Sequence, residues 1–240
     1  MQAGSPHHND WKPAPEDKEV TLSGTSPSEW TRQTIKFIDP RETPFIPLQT
    51  RGELPHLYKG GGSYFVTFRL WDAVLPATQR TLWRTLHERF RDPEGSMNRQ
   101  LAIDIAQSTE LSITTGSCLL NRSEAANSVQ NALLHFHDER YQLAAWCVMP
   151  NHVHMAYTTL STFTPDSIHH SWKSYTAVEI NTLLSRSGTL WERESFDHLI
   201  RSVEHYQTYI EYIERNPVAA NLCACPEDWP FSSAHYRARV

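Results

Sequence analysis

Residues 141–160 read YQLAAWCVMPNHVHMAYTTL, and the way this stretch folds decides the architecture around it. Two runs rich in aromatic and β-branched residues flank Pro150-Asn151, a pair with turn chemistry, so the spacing predicts two antiparallel strands, 141–149 and 152–160. Successive side chains of a strand alternate between faces, which turns His152 and His154 to one side and Val153 to the other. Neutral imidazole accepts many divalent ions, and two of them leave positions open for a substrate oxygen. The same residues would also serve as the polar face of a surface strand. The chain has thirteen histidines and repeats the pattern at His135-Phe136-His137. That pair falls at the end of a predicted helix, where i and i+2 point roughly 200° apart and cannot easily share an ion.

Outward from this hairpin, Asn121 and Ser123 open a helix expected to reach about His135. Gly60 to Gly62 form a turn before a β-rich run, Tyr64 to Leu70. Leu82, Leu86 and Phe90 recur at helical spacing in 76–90, and RQLAIDIAQ (99–107) is a candidate short helix. A helix is expected over 166–186, and a final one over 202–216, stopped by Pro217. The order and lengths point to an α+β domain whose antiparallel sheet carries helices on one face. Eight of the fifteen prolines fall in the first 55 residues, which predicts an extended N-terminal arm over 1–55, weakly ordered or docked, ahead of a domain over 56–240.

The apolar and charged fractions, 39% and 20% of 240 residues, are those of a globular protein. No apolar run approaches the roughly 20 residues that span a bilayer, and the N-terminus lacks a signal-peptide pattern, so the expected setting is cytoplasmic, without membrane contact. The four cysteines are scattered and predict no disulfide. A net charge of −5 offers nucleic acid no overall attraction, so any such binding must rest on a local site.

In HYQTYIEYIERNPV, Tyr206, Tyr209 and Tyr212 recur every third residue, and Asn216 lies four beyond Tyr212 on the same helical face. One reading makes the tyrosines a core stripe and Asn216 a C-terminal cap. The other makes Tyr212 a nucleophile and Asn216 a third ligand beside His152 and His154. A phenol with a pKa of about 10 is a poor nucleophile at neutral pH, and a phosphodiester repels attack. A divalent cation relieves both difficulties.

The stretches LPHLYKGGGSYFVTFRL, LAAWCVMPNHVHM, SWKSYTAVEIN, GTLWERESFDHLIR, YIEYIERNPVAANL and PEDWPFSSA follow one another over about residues 54–234. Together they resemble the single-tyrosine HUH nucleases and, more closely, the REP-associated tyrosine transposases. The resemblance implies a ferredoxin-like α+β fold, Mg²⁺ or Mn²⁺ as cofactor, His152 and His154 as the HUH pair, Tyr212 as nucleophile and Asn216 as third metal ligand. It further implies cleavage and rejoining of single-stranded DNA at palindromic, hairpin-forming repeats through a 5′-phosphotyrosine and a free 3′-OH. It leaves catalysis in cis or in trans open and admits a homodimer. Asp197 and His198 belong to the same signature without an assigned chemistry. Backbone contacts to DNA would fall to local cations, Lys173, Arg193, Arg201 and Arg215, with Trp172 or Trp191 available for base stacking. Two other readings stand beside this one: a non-catalytic hairpin-DNA or RNA-binding module on the same fold, and a structural zinc protein using histidines with Cys223 and Cys225.

Overall fold

The computed structural model describes residues 49–50, 55–56, 61–73, 115–160, 162–200 and 203–239. The expected helices over 76–90 and 99–107 lie outside them, as does all of the N-terminal arm except Gln49–Thr50 and Pro55. Those residues form a small antiparallel ladder, β1 (Gln49–Thr50) with β2 (Pro55–His56), which straddles the expected boundary at 55–56.

The remaining elements are β3 (Ser63–Arg69), α1 (Ser123–His135), β4 (Tyr141–Val148), β5 (His152–Thr159), α2 (Pro165–Leu183), β6 (Phe196–Leu199), α3 (Val203–Ala219) and α4 (Ser233–Ala238). Strands β3 to β6 form one antiparallel sheet in the order β4-β5-β3-β6. From β3 to β6 the described elements run β-α-β-β-α-β, and with this strand order the fold is ferredoxin-like. The bounds of β3, β4 and β5 match the expected ones within a residue, whereas β6 has no counterpart among the expected strands. At α1 the cap differs from expectation: Arg122 occupies the N-cap without a side-chain bond, between Asn121 and Ser123. Thr164 caps α2 by accepting from Ser167 N, and Pro165 supplies the fixed φ of the first turn.

Helices on one face, the expected arrangement, holds only for α1 and α2. All seven residues of β3 are buried, because both sides of the sheet are covered. On one side Tyr64 stacks on Tyr157, and Tyr157 meets Trp172 of α2 edge-on at 5.2 Å. On the other side Phe65 stacks on Tyr209 of α3 at 4.6 Å. The reason is present in SYFVTFR, where Tyr64, Phe65 and Val66 are consecutive; an alternating run would have left one face to water. A bulge between Leu143 and Ala145 shifts β4 by one residue, so Tyr141 and Leu143 face α1 and α2 while Ala145 and Cys147 face α3.

Helix α3 also runs past its expected stop. Pro217 lies inside it, and the helix continues to Ala219. A proline in the last turn sacrifices only its own N–H, and the amides of Ala220 and Leu222 still reach the carbonyls of Asn216 and Pro217 at 3.0 and 2.9 Å. The outer edge of β4 is closed by the C-terminal segment: Val148 N donates to Phe231 O at 2.9 Å, and the Trp229 indole donates to Val148 O at 3.0 Å.

Candidate metal and nucleophile site

The β4–β5 turn is fixed at both of its residues. Met149 N donates to His152 O, closing a two-residue loop, and the carbonyls of Pro150 and Asn151 accept from Leu120 and Leu70. With the turn held in this way, the register of β5 against β3 is set: Thr67 faces His154, and Arg69 faces His152. Strand period then turns both imidazoles toward α3, with 1% and 0% of their surfaces exposed.

The two Nε2 atoms lie 3.0 Å apart. Adjacent corners of an octahedron with bonds of about 2.1 Å are separated by about 3.0 Å, and the tetrahedral separation is about 3.4 Å. The separation is in the range of neighbouring ligands on one divalent ion, and it is equally the length of a hydrogen bond between the two rings. Both outer nitrogens are engaged, His152 Nδ1 with Asn151 Oδ1 at 2.8 Å and His154 Nδ1 with Thr67 Oγ1 at 2.7 Å, which fixes the ring planes. A ligating histidine must be neutral. Burial, followed by the nearby Arg69 guanidinium, lowers the His154 pKa to about 3. Burial, His154 and Arg69 hold His152 well below its ordinary value. Arg69 is itself buried against Glu192, Nε to Oε2 at 2.8 Å.

Helix α3 brings the other half of the site, and the three tyrosines divide between core and rim. Tyr206 and Tyr209 are buried, and loss of water pushes the Tyr206 phenol up to about 12 and raises Tyr209 as well. Tyr212 is half-buried, its ring 5.4 Å from that of His154 and 6.0 Å from Phe65. Asn216 donates from Nδ2 to the Tyr212 hydroxyl at 2.9 Å. The capping reading of Asn216 fails, because the residue is 1% exposed and the helix extends three residues beyond it. His152, His154, Tyr212 and Asn216, separated by up to 64 positions, are thus gathered between one sheet face and one helix.

The other candidates are placed elsewhere. His135 is exposed, and His137 Nδ1 accepts from Leu143 N at 3.0 Å, so the decoy pair does not share a site. His198 lies across from Phe65 and packs on Tyr209 at 5.8 Å, whereas Asp197 is across from Val66 on the opposite face. Lys173 donates to the carbonyls of Glu192, Arg193 and Glu194 and to Ser195 Oγ, and burial lowers its pKa to about 8. That ammonium is occupied in bracing the loop before β6. With Arg193, His169 and His170 it lines a cavity of about 360 Å³. Arg193 and Arg215 are exposed, and Arg201 lies outside the described residues. Trp172 and Trp191, expected as stacking platforms, are 2% and 4% exposed; their indoles donate to Tyr141 and Thr176, both at 2.8 Å. Among the described residues the exposed tryptophan is Trp71, at 58%. Cys223 and Cys225 do not join a metal cluster: among the described residues no three His, Cys, Asp or Glu side chains come together to hold an ion.

Sequence reasoning missed Thr67, Asn151 as a hydrogen-bond partner, and the Arg69–Glu192 pair. Period-2 reading places Thr67 and Arg69 on one face of their strand. That this face meets the histidines depends on a register that local sequence does not carry.

No described helix is long and apolar enough to cross a membrane. The chain is similar over 101 residues, at 28% identity, to a REP-associated tyrosine transposase of Escherichia coli K12, a match covering 41% of this chain and 57% of that protein. A Haemophilus influenzae relative assigned the same family name is 25% identical over 105 residues, covering 40% of this chain and 60% of its own. The chain therefore matches less than two thirds of the length of these relatives. A solved structure of a REP-associated tyrosine transposase bound to a REP hairpin aligns with a TM-score of 0.45 and 20% identity, over 77% of this chain and 84% of that one. The family model described as IS200-like transposase matches residues 122–216, a span that begins at the N-cap of α1 and ends on Asn216. This part of the chain, with the histidine pair and Tyr212 inside it, is the part similar to the IS200-like transposases.

Proposed function

We propose that the chain is a metal-dependent single-stranded DNA endonuclease and strand transferase acting at hairpin-forming repeats through Tyr212. The observation that carries this reading is the convergence of two neutral imidazoles, 3.0 Å apart, with a phenol held by an amide on the facing helix. His152, His154 and the oxygen of Asn216 would hold Mg²⁺ or Mn²⁺, which when bound polarises a phosphate oxygen and offsets charge in the transition state. Asn216 would thus use its two ends separately, nitrogen on the phenol and oxygen toward the ion. The Tyr212 oxygen attacks phosphorus and loses its proton to solvent. The bond from phosphorus to the 3′ oxygen breaks, and that oxygen leaves as a 3′-OH, so the 5′ phosphate stays on Tyr212. Attack by a 3′-OH on the phosphotyrosine reverses the step and rejoins a strand without ATP.

The test uses a single-stranded hairpin oligonucleotide labelled at its 3′ end. With Mn²⁺ or Mg²⁺ the label should move with the protein on a denaturing gel, and both EDTA and Tyr212→Phe should abolish the shift. An adduct formed equally by Tyr212→Phe would overturn the assignment of the nucleophile. Tight hairpin binding without cleavage under any divalent ion would instead favour a non-catalytic binding module.

A further inference from the structure

The hydrogen bonds around the histidine pair form a chain with a direction. Asn151 Nδ2 lies 2.9 Å from the carbonyl of Thr115, which can only accept, so the amide's orientation is settled and its Oδ1 faces His152 Nδ1. His152 therefore carries its proton on Nδ1, and its Nε2 presents a lone pair. Across the 3.0 Å contact the donor must then be His154 Nε2, which leaves His154 Nδ1 to accept from the Thr67 hydroxyl at 2.7 Å. An ion between the histidines requires lone pairs on both Nε2 atoms. His154 has to exchange tautomers, losing the proton at Nε2 and taking one at Nδ1, with no net change in charge or proton count. Its partner must then accept where it had donated. The Asn151 end cannot reverse, because the Thr115 carbonyl fixes it. A threonine hydroxyl rotates and does either.

We infer that Thr67 is a positioning residue for the metal site, a reversible hydrogen-bond partner that lets His154 pass from a metal-free tautomer, locked onto His152, to the ligating one. The inference rests on the proposal that the pair holds a divalent ion. Thr67 is buried on the central strand, 87 positions from His154, and its hydroxyl meets that ring nitrogen directly. A valine in its place would fill the same volume and could neither donate nor accept.

Two measurements on the full chain test this. In the first, long-range nitrogen–proton spectra of protein labelled with ¹⁵N-histidine report which ring nitrogen is protonated. Without metal, His152 should show Nδ1–H and His154 Nε2–H, and Zn²⁺, a diamagnetic probe, should move the His154 proton to Nδ1. In the second, Mn²⁺ binding is followed by the loss of the free-ion resonance. Thr67→Val should weaken it about 10–100-fold, the usual effect of losing a partner behind a metal ligand, with an unchanged circular dichroism spectrum; Thr67→Ser should restore it. Equal Mn²⁺ affinity in Thr67→Val and the unsubstituted protein, or a His154 already protonated at Nδ1 without metal, overturns the inference. Mn²⁺ binding that survives His154→Gln overturns the metal site itself, and the role of Thr67 with it.

Discussion

His135 and His137 straddle the end of α1, one exposed against the edge of Phe136 and the other tied to the amide of Leu143. His152 and His154 stand on β5 with their Nε2 atoms 3.0 Å apart and both rings out of water. The two stretches share a residue pattern and differ in period. A strand returns to the same face every two residues and a helix does not, so only the second pair can be turned toward a common point. The strand pair is also held from behind by Thr67 and Asn151, while the helix-end pair is spent on local structure. A motif of ligand types therefore says little until the backbone under it is known.

Substitutions in the two pairs should separate them by orders of magnitude. His154→Ala is expected to lower metal-dependent adduct formation by roughly 10³-fold or more, since an ion's stabilisation of the transition state is worth several kcal/mol. Single-turnover assays of the same change at His135 or His137 should stay near the original rate. Comparable losses in both pairs would break the contrast.

The next effect is on stability as a function of pH. The folded pKa of His154, about 3, lies below its unfolded value near 6.5, so the unfolded chain binds the proton first. The stability linked to this residue is complete above pH 6.5 and is lost as pH falls from there toward about 3. Urea midpoints should decline across this window, and His154→Gln should flatten the decline. An equally steep decline in His154→Gln would place the linkage elsewhere.

Smaller again is His137→Ala, which leaves the Leu143 amide without its acceptor at the start of β4; a cost of about 1–3 kcal/mol is expected in denaturant titration, with Mn²⁺ binding unchanged. The smallest effect belongs to His135→Ala, an exposed position, within about 0.5 kcal/mol. A loss of Mn²⁺ binding on either change would show that the helix end reaches the site.

By itself, the sequence determined the properties that consecutive residues encode: the strands on either side of Pro150-Asn151, the helix from Ser123 to His135, and the common facing of His152 and His154. Each is a matter of period and turn chemistry within one segment. It also placed Tyr212 and Asn216 on one helical face, without choosing between a core stripe and a site. Tertiary structure divided that face by docking α3 on the second face of the sheet, where Tyr209 stacks on Phe65 in the core and Tyr212 comes to His154. It alone decided that Thr67 and Arg69 stand behind the histidines, that Lys173 is occupied by three carbonyls, and that Trp172 and Trp191 are core. The physical reason is that register and helix docking are settled by burial between segments far apart in the chain, 87 residues in the case of Thr67 and His154.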